Sequence, residues 1–251
     1  MQMLIRKLIP RSLLNRYKQF KRFREQKENC HRTTEEVFTE IYQQNKWGGS
    51  QGGFCSGPGS ADEQVVSAYI STVSEKASSE NFLGLTFVDL GCGDFRVGKH
   101  LLPLCSSYIG VDVVRPLICR NQEKYGNATT SFIHLDIVED ELPTGDVCFL
   151  RQVLQHLSNQ QIVNILKKLK SYRWVFITEH YPADNDSIKP NLDLVHGGYV
   201  RVYDNSGVYL SEPPFKLPKQ ALKKVLQVPG VGSMEANGPG VICTFLYKPI
   251  C

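Results

Sequence analysis

The sequence predicts an α/β fold in which a mostly parallel sheet carries helices on both faces. From Leu85 onward, short apolar segments of strand-like composition alternate with segments of helical periodicity. A chain of 251 residues, 41% hydrophobic and 22% charged, is long enough to bury the core of one such domain. Because strands separated by helices pair in parallel through right-handed crossovers, this alternation predicts a single sheet.

The individual elements follow from periodicity and from helix and turn signals. A helix is predicted around Thr34–Tyr42, and a second over 61–76 is predicted to start with a capping box formed by Ser60 and Glu63. The Gly-rich stretch 47–60 and the Pro-, Gly- and Asn-rich stretch 188–215 are predicted to be irregular. The predicted strands are 85–90, 108–113, 131–135, 146–150, 174–178 and 241–247, and the helices between them lie near 97–104, 116–125 and 159–169.

The N-terminal residues form a basic segment that differs from the rest of the chain. Residues 1–28 contain nine Lys or Arg against Glu25 and Glu28, a net charge of +7, so residues 29–251 carry −3 of the total +4. Apolar residues recur among these cations at near-helical spacing, which is typical of an amphipathic surface helix. Such a helix can lie on an anionic membrane, or pack on the domain or on a second subunit. We therefore divide the chain into an extension, residues 1–30, and a catalytic domain, residues 31–251.

Cysteine usage and hydropathy favour the cytoplasm. The eight cysteines include no CxxC pair, which argues against a zinc ribbon, and several lie in apolar stretches where a free thiol packs as a small hydrophobe. The sequence shows no cleavable signal and no apolar run approaching the ~18 residues of a spanning helix. We expect a cytoplasmic protein that can contact a membrane peripherally through residues 1–28.

A glycine turn follows the first predicted strand. Gly91 and Gly93 have no Cβ, so the backbone there can approach a ligand closely. Asp112 lies 19 residues after Gly93, at the end of the next strand, and a carboxylate there can accept hydrogen bonds from both hydroxyls of a ribose. The pattern predicts a site for an adenosine-containing cofactor.

The turn lacks the third glycine of the dinucleotide pattern GxGxxG, which brings a helix N-terminus onto a pyrophosphate. Asp94 follows the glycine pair instead, and a carboxylate repels a diphosphate but attracts the cationic amine or sulfonium of S-adenosylmethionine (SAM). NAD-linked reduction is therefore disfavoured. The block from Asp89 to Asp94, with Asp112, resembles the first SAM motif of class I methyltransferases.

This resemblance covers roughly residues 85–180. It implies a Rossmann-like fold with a mostly parallel, seven-stranded sheet, SAM as cofactor and S-adenosylhomocysteine as product. In the family, an Asp placed like Asp136 binds the adenine amino group with Ile137 beside the ring, and residues placed like Arg151 and Gln152 pass beneath the methionine part. The resemblance implies the cofactor-binding set Asp89, Gly91, Cys92, Gly93, Asp94, Asp112, Val113, Asp136, Ile137, Arg151 and Gln152.

Three histidines near predicted strand ends are candidates for the base that deprotonates the acceptor. His180 ends the fifth strand and is the preferred base. His156 follows the fourth strand and is either a base or a structural residue. His196 lies on the irregular segment where a substrate-covering loop is expected, and is either part of the substrate pocket or a polar loop residue.

Other candidates surround these histidines. Asp193 could orient either His180 or His196, and Arg201 could bind a phosphate or carboxylate of the substrate. No metal is expected, although Glu179, with His180 and Asp193, could bind one divalent ion. The predicted substrate-binding set is Trp47, Tyr181 and Arg201.

The sequence thus predicts a SAM-dependent O-methyltransferase for a sugar, a nucleotide-linked sugar or another small polar acceptor. Trp47-Gly48 and Ser56–Ser60 resemble the lead-in of small bacterial methyltransferases that act on sugars, cell-surface glycans or metabolites. An RNA methyltransferase that grips nucleic acid with the basic segment is opposed by the −3 charge of the remainder and by the lack of an Asn/Asp-Pro-Pro-Tyr/Phe motif. A non-catalytic interaction module is opposed by Gly91, Gly93 and Asp112. The acceptor and the oligomeric state stay open.

Overall fold

The structure is a computed structural model that describes residue 20 and residues 22–49, 53–183, 186–231 and 240–249. Its strands are β1 (Leu85–Leu90), β2 (Cys105–Asp112), β3 (Thr130–His134), β4 (Val147–Arg151), β5 (Trp174–Tyr181), β6 (Leu222–Pro229) and β7 (Val241–Tyr247). Its α-helices from Thr34 onward are α1 (Thr34–Gln43), α2 (Pro58–Ala61), α3 (Glu63–Ser79), α4 (Arg115–Tyr125) and α5 (Asn159–Lys168).

The seven strands form one sheet in the order β3-β2-β1-β4-β5-β7-β6, which confirms the predicted fold class. Strands β1 to β5 pair in parallel, and β7 runs antiparallel to both of its neighbours, β5 and β6. The strand order reverses between β1 and β4. In open α/β sheets, ligands bind at the carboxyl ends of the strands beside such a reversal, so the topology itself points to a site there.

Two hydrophobic cores cover the two faces of the sheet. Along β4, Cys148 and Leu150 belong to one core, whereas Val147 and Phe149 belong to the other. This alternation is the two-residue period of a strand buried on both faces. Helices cover both faces of the sheet, as predicted. Helices α1 and α5 contribute to the first core with Val37, Ile41, Ile162 and Ile165, and α3 contributes to the second with Tyr69, Val73 and Ala77.

Three local elements differ from the prediction. Residues 97–104 form two short 3-10 turns, Gly98–His100 and Leu102–Leu104, because Pro103 has no N–H to donate within an α-helix. Helix α3 is capped by Asp62, whose carboxylate accepts from the Val65 N–H at 3.0 Å, and not by Ser60. Strand β6 was not predicted, since its exposed lysines and terminal Pro229 mark an edge strand with little apolar alternation.

The described part of the N-terminal extension packs on the domain. Residues 22–29 are helical, and the Arg22 guanidinium lies 5.4 Å from the Tyr199 ring and 5.0 Å from the Tyr203 ring. The buried side chain of Asn29 donates to the His196 carbonyl at 3.1 Å. The predicted boundary at residue 30 therefore crosses tertiary contacts. Residues 1–19, which hold most of the predicted amphipathic pattern, lie outside the described residues. Within the described ranges, no helix is long and apolar enough to cross a membrane.

Candidate active site

A cavity of about 1070 Å³, including its open mouth, lies at the carboxyl ends of the parallel strands. It is lined by residues that end or follow β1, β2, β3 and β4, and by residues of α1. All eleven residues of the predicted cofactor-binding set line this one cavity. Trp47 and His156, predicted for the acceptor side, line it as well.

The glycine turn between β1 and the cavity requires both glycines. Gly91 has a φ of +77° and Gly93 a φ of +56°, a left-handed region that L side chains rarely adopt. A Cβ on Gly91 would lie 2.5 Å from Val153 Cγ2, and a Cβ on Gly93 would lie 2.3 Å from Ser56 Oγ. Both neighbours line the cavity, so larger residues in the turn would displace its walls.

The Asp112 carboxylate joins this turn to the end of β2. It accepts from the Gly93 N–H and from the Val114 N–H, each at 3.0 Å, which fixes both oxygens in place. Burial raises the pKa of the Asp112 carboxyl to about 6. Burial also raises the pKa of Asp89 to about 6, although a hydrogen bond from the Tyr108 hydroxyl opposes this shift.

Helix α1 lies across the cavity with one face toward it. Thr34, Phe38 and Tyr42 recur every four residues and all line the cavity. The Thr34 hydroxyl donates to the Asp136 carboxylate after β3. Tyr42 lies at the other end of α1, where its hydroxyl forms a 2.9 Å hydrogen bond with Ser56 Oγ.

Ser56 in turn connects the Gly-rich segment to the glycine turn. Its Oγ accepts from the Asp94 N–H at 2.8 Å, and its N–H donates to the Asp94 carboxylate at 3.3 Å. Four residues that line the cavity were not predicted for the cofactor site: Thr34, Phe38, Tyr42 and Ser56. The four-residue spacing of the first three along α1 could have indicated them.

Two polar side chains at the end of β4 leave donors unpartnered in the described structure. Arg151 donates to the Gly59 carbonyl at 2.6 Å and to Ser60 Oγ at 3.1 Å, but its buried Nε has no partner. Gln152 has a buried, unpartnered Nε2 and a left-handed backbone with φ of +58°. A buried donor without a partner costs free energy, as does a left-handed non-Gly residue, and both features are enriched at functional sites.

His156 is the one histidine among the six that lines the cavity. Its Nδ1 lies 3.1 Å from the Gly197 carbonyl and 3.2 Å from the Tyr199 carbonyl. Since carbonyls only accept, Nδ1 carries the proton, and Nε2 accepts from Gln155 Nε2 in a long contact of 3.4 Å. Burial lowers the pKa of His156 to about 4, so the ring is neutral at pH 7.

Known proteins match this arrangement. A sequence profile described as a methyltransferase domain matches residues 88–171, which include the glycine turn, Asp112, Asp136 and His156. This match covers about a third of the chain, and the segment that it spans is similar to a methyltransferase domain.

Solved structures share the fold at low sequence identity. The N-methyltransferase NodS from Bradyrhizobium japonicum, in complex with S-adenosylhomocysteine, is 14% identical and superposes with a TM-score of 0.52 over 75% of this chain and 89% of that one. The 1,6-didemethyltoxoflavin-N1-methyltransferase from Burkholderia thailandensis is 13% identical, with a TM-score of 0.51 over 85% of this chain and 86% of that one.

Curated relatives match a shorter region. Uncharacterized methyltransferases of Mycobacterium tuberculosis and Mycobacterium bovis are 30% identical over 74 residues, 29% of this chain. The match spans 38% of the length of those relatives.

The 3-10 turn Leu154–His156 is fixed from one side by a buried carboxyl group. Glu179 on β5 is fully buried and accepts from the Leu154 N–H at 2.9 Å and from the Gln155 N–H at 3.0 Å. Burial raises the pKa of Glu179 to about 8. The carboxylate thus caps the start of the turn.

Arg201 fixes the same turn through its carbonyls. It is 1% exposed and donates to the Leu154 carbonyl at 3.1 Å and to the Leu157 carbonyl at 2.7 Å. It also donates to the Leu192 carbonyl and to Asn159 Oδ1. The predicted role of Arg201 as a ligand for a substrate phosphate is not met, since its guanidinium is buried among backbone carbonyls and does not line the cavity.

His180 and Tyr181 also differ from their predicted positions. Neither lines the cavity in the described structure. His180 is buried in β5 opposite Ile242 of β7, and its N–H donates to Gln155 Oε1 at 3.3 Å. The Tyr181 hydroxyl donates to the Val208 carbonyl at 2.8 Å, and its ring packs against Tyr209. Both residues lie on β5 where it pairs with β7, and both are buried there.

Asp193 and His196 lie outside the cavity lining as well. Asp193 Oδ1 accepts from the Asn159 N–H at 2.7 Å and therefore caps the start of α5. His196 Nδ1 contacts Gln161 Nε2 at 3.2 Å. These residues stabilise the loop that follows β5, and Glu179, His180 and Asp193 do not form a group of metal ligands within the described part of the chain.

Proposed function

We propose that this protein is a SAM-dependent methyltransferase that transfers the methyl group to a hydroxyl of a small acceptor such as a sugar. The observation that carries the proposal is the single cavity that all eleven predicted cofactor residues line. Residues from the ends of four different strands meet there at the strand-order reversal, where the fold places its ligands.

The residues of the cavity fit SAM. Asp112 presents a fixed carboxylate for the two ribose hydroxyls, and Asp136 lies where an adenine amino group can be bound. The unpartnered donors of Arg151 and Gln152 suit the carboxylate of the methionine part, and Asp94 suits its ammonium group. When bound, SAM supplies a methyl group made electrophilic by the sulfonium.

His156 is proposed to receive the proton of the acceptor hydroxyl. It lines the cavity, it is neutral at pH 7, and its Nε2 carries the lone pair because Nδ1 holds the proton. When SAM is bound, the acceptor oxygen would form the new C–O bond as the bond between the methyl carbon and sulfur breaks, which would leave S-adenosylhomocysteine. The proton of the acceptor hydroxyl would pass to Nε2 of His156. General-base assistance of this kind contributes on the order of 10²–10⁴-fold in rate. His156 therefore replaces His180 as the proposed base.

The test measures SAM affinity by calorimetry and S-adenosylhomocysteine formation with matched acceptors, methyl glucoside and its 2-amino counterpart. We expect micromolar SAM binding, methylation of the hydroxyl compound, and a loss on the order of 10²-fold in turnover for His156→Ala at unchanged SAM affinity. His180→Ala is the control and should retain turnover. Methylation of the amine alone would reassign the acceptor atom to nitrogen, as in the two N-methyltransferases that share the fold. Absence of SAM binding would refute the proposal altogether.

A further inference from the structure

We infer that the acceptor is an uncharged ring compound that stacks on Trp47, and that phosphorylated or nucleotide-linked acceptors are excluded. This inference rests on the proposed function and narrows its acceptor class. It follows from two independent features of the cavity, an aromatic wall at one end and the distribution of charge around it.

The aromatic wall joins α1 to the turn after β4. The Trp47 ring lies 5.0 Å from the His156 ring, 5.3 Å from the Tyr42 ring and 6.0 Å from the Phe38 ring, measured between centroids. All four rings line the cavity. Trp47 is only partly buried, and its indole N–H is directed to the Gly198 carbonyl at 3.4 Å, which fixes the ring plane.

This wall lies on the acceptor side of the cavity. The adenosine-binding residues Asp112 and Asp136 belong to the ends of β2 and β3, whereas Trp47 packs against His156 beyond the end of β4. In the sheet, β1 separates β2 from β4. A fixed aromatic ring beside the proposed base offers a face for ring stacking, which suits a planar aromatic ring or the C–H face of a sugar.

The charges that line the cavity disfavour an anionic acceptor. Four carboxylates line it, those of Asp89, Asp94, Asp112 and Asp136, against one guanidinium, Arg151. Two of the Arg151 nitrogens already donate to Gly59 and Ser60, and its remaining donor is assigned to the methionine carboxylate. No other Lys or Arg among the described residues lines the cavity.

Of the stretches outside the described residues, 50–52, 184–185 and 232–239 contain no Lys or Arg. Arg201, which the sequence analysis assigned to a substrate phosphate, donates to backbone carbonyls in the interior. A phosphate on the acceptor would therefore enter a negative cavity without a paired cation, and the penalty of an unpaired buried charge makes this unfavourable.

The experiment uses the full chain saturated with S-adenosylhomocysteine and two matched pairs of probes. The first pair is methyl glucoside and glucose 1-phosphate, and the second is phenol and phenyl phosphate. Binding is followed by calorimetry and by quenching of tryptophan fluorescence. We expect the neutral member of at least one pair to bind at least tenfold more tightly than its phosphate. The pair that binds distinguishes a sugar acceptor from an aromatic one.

Two tryptophan variants serve as a matched pair. Trp47→Ala should weaken binding of the neutral probe at least tenfold, whereas Trp174→Phe should leave it unchanged, because Trp174 is buried in the second core. Equal or tighter binding of the phosphates, no binding of either neutral probe, or an unaffected Trp47→Ala variant would each overturn the inference. If SAM binding persists in such a case, the proposed function stands and only the acceptor class fails.

Discussion

At the scale of single residues, Asp112 is the most informative position in the cavity. Its two oxygens are fixed by the Gly93 and Val114 N–H groups, so it presents its remaining lone pairs in a set orientation. We expect Asp112→Ala to weaken SAM binding at least tenfold by calorimetry, because charge-assisted hydrogen bonds to a ribose contribute about 1.5–3 kcal/mol each. Asp112→Asn keeps one acceptor oxygen, so its SAM affinity should lie between that of Asp112→Ala and that of the parent protein. An unchanged SAM affinity in Asp112→Ala would show that the ribose does not bind at Asp112.

The raised pKa values of two cavity carboxyls predict a pH dependence of SAM binding. Burial raises the pKa of both Asp112 and Asp89 to about 6. The ionised forms attract the cationic cofactor, and ionised Asp112 accepts from both ribose hydroxyls. Protonation as the pH falls through 6 removes these interactions, so the SAM dissociation constant should rise between pH 7 and pH 5, by up to about tenfold per pH unit and per group. Calorimetry at fixed ionic strength tests this, and Asp112→Asn should show a shallower slope. A dissociation constant that is flat over this range would contradict it.

The strand-end residues that line the cavity could be predicted from the sequence because each lies at or near the end of a strand in a fixed motif. Gly91, Gly93 and Asp112 need only the strand ends to be placed correctly. His180 and Arg201 could not be placed in this way, because their positions depend on how β7 and the loop after β5 pack. A polar residue at a strand end was interpreted as catalytic, whereas the structure buries these side chains in contacts with backbone groups. Burial of polar residues against backbone is a tertiary property that local pattern does not encode.

At the scale of elements, the 3-10 turn carrying His156 depends on two buried ionisable side chains, Glu179 and Arg201. Glu179 binds its N–H groups and Arg201 binds its carbonyls. We expect Arg201→Met to lower the free energy of unfolding by about 3 kcal/mol, because it removes the donor from the buried oxygens that the guanidinium binds. Denaturant titration measures this loss.

A double-mutant cycle tests whether Glu179 and Arg201 act together in stabilising the turn. If they do, Arg201→Met combined with Glu179→Gln should destabilise by less than the two single changes added, with a coupling of at least about 0.5 kcal/mol. The matched control pairs Arg201→Met with Lys248→Met, since Lys248 lies at the surface and binds Glu80. Strict additivity in the first cycle would show that Glu179 and Arg201 stabilise the turn independently.

Elements with strong periodicity were predicted well, and those defined by single residues were not. Strands β1 and β7 coincide with their predicted bounds. The start of α3 was misplaced because both Ser60 and Asp62 can cap a helix, and Ser60 Oγ is instead bound to Arg151. The role of α1 as one wall of the cavity depends on where the helix docks, which the amphipathic pattern leaves open.

At the scale of the whole molecule, the fold could be predicted because the order of strands and helices restricts the topology to few solutions. The division at residue 30 stays a prediction. The helical residues 22–29 are joined to the domain by Arg22, which stacks on Tyr199 and Tyr203 and binds Asp204 at 2.8 Å. From these contacts we propose that the boundary between extension and domain lies before residue 22.

This boundary leads to a prediction for two truncations. Removal of residues 1–21 deletes six of the nine N-terminal cations but keeps Arg22, so it should leave the melting temperature unchanged. Removal of residues 1–28 also deletes the Arg22 contacts and should cost about 1 kcal/mol of stability while preserving the fold. An unfolded 29–251 fragment would instead place the extension in the core.

The same truncations test whether the extension binds membranes. Phe20 and Phe23 are 63% and 68% exposed, beside a segment whose sequence carries a net charge of +7 over residues 1–28. Apolar side chains next to clustered cations favour anionic lipid surfaces. We expect the full chain to co-sediment with phosphatidylglycerol vesicles at low salt and to be released from them at high salt. It should not co-sediment with phosphatidylcholine vesicles. The chain without residues 1–21 should lose this binding and keep its SAM affinity. Equal binding of both chains to the anionic vesicles would locate the contact in the domain itself.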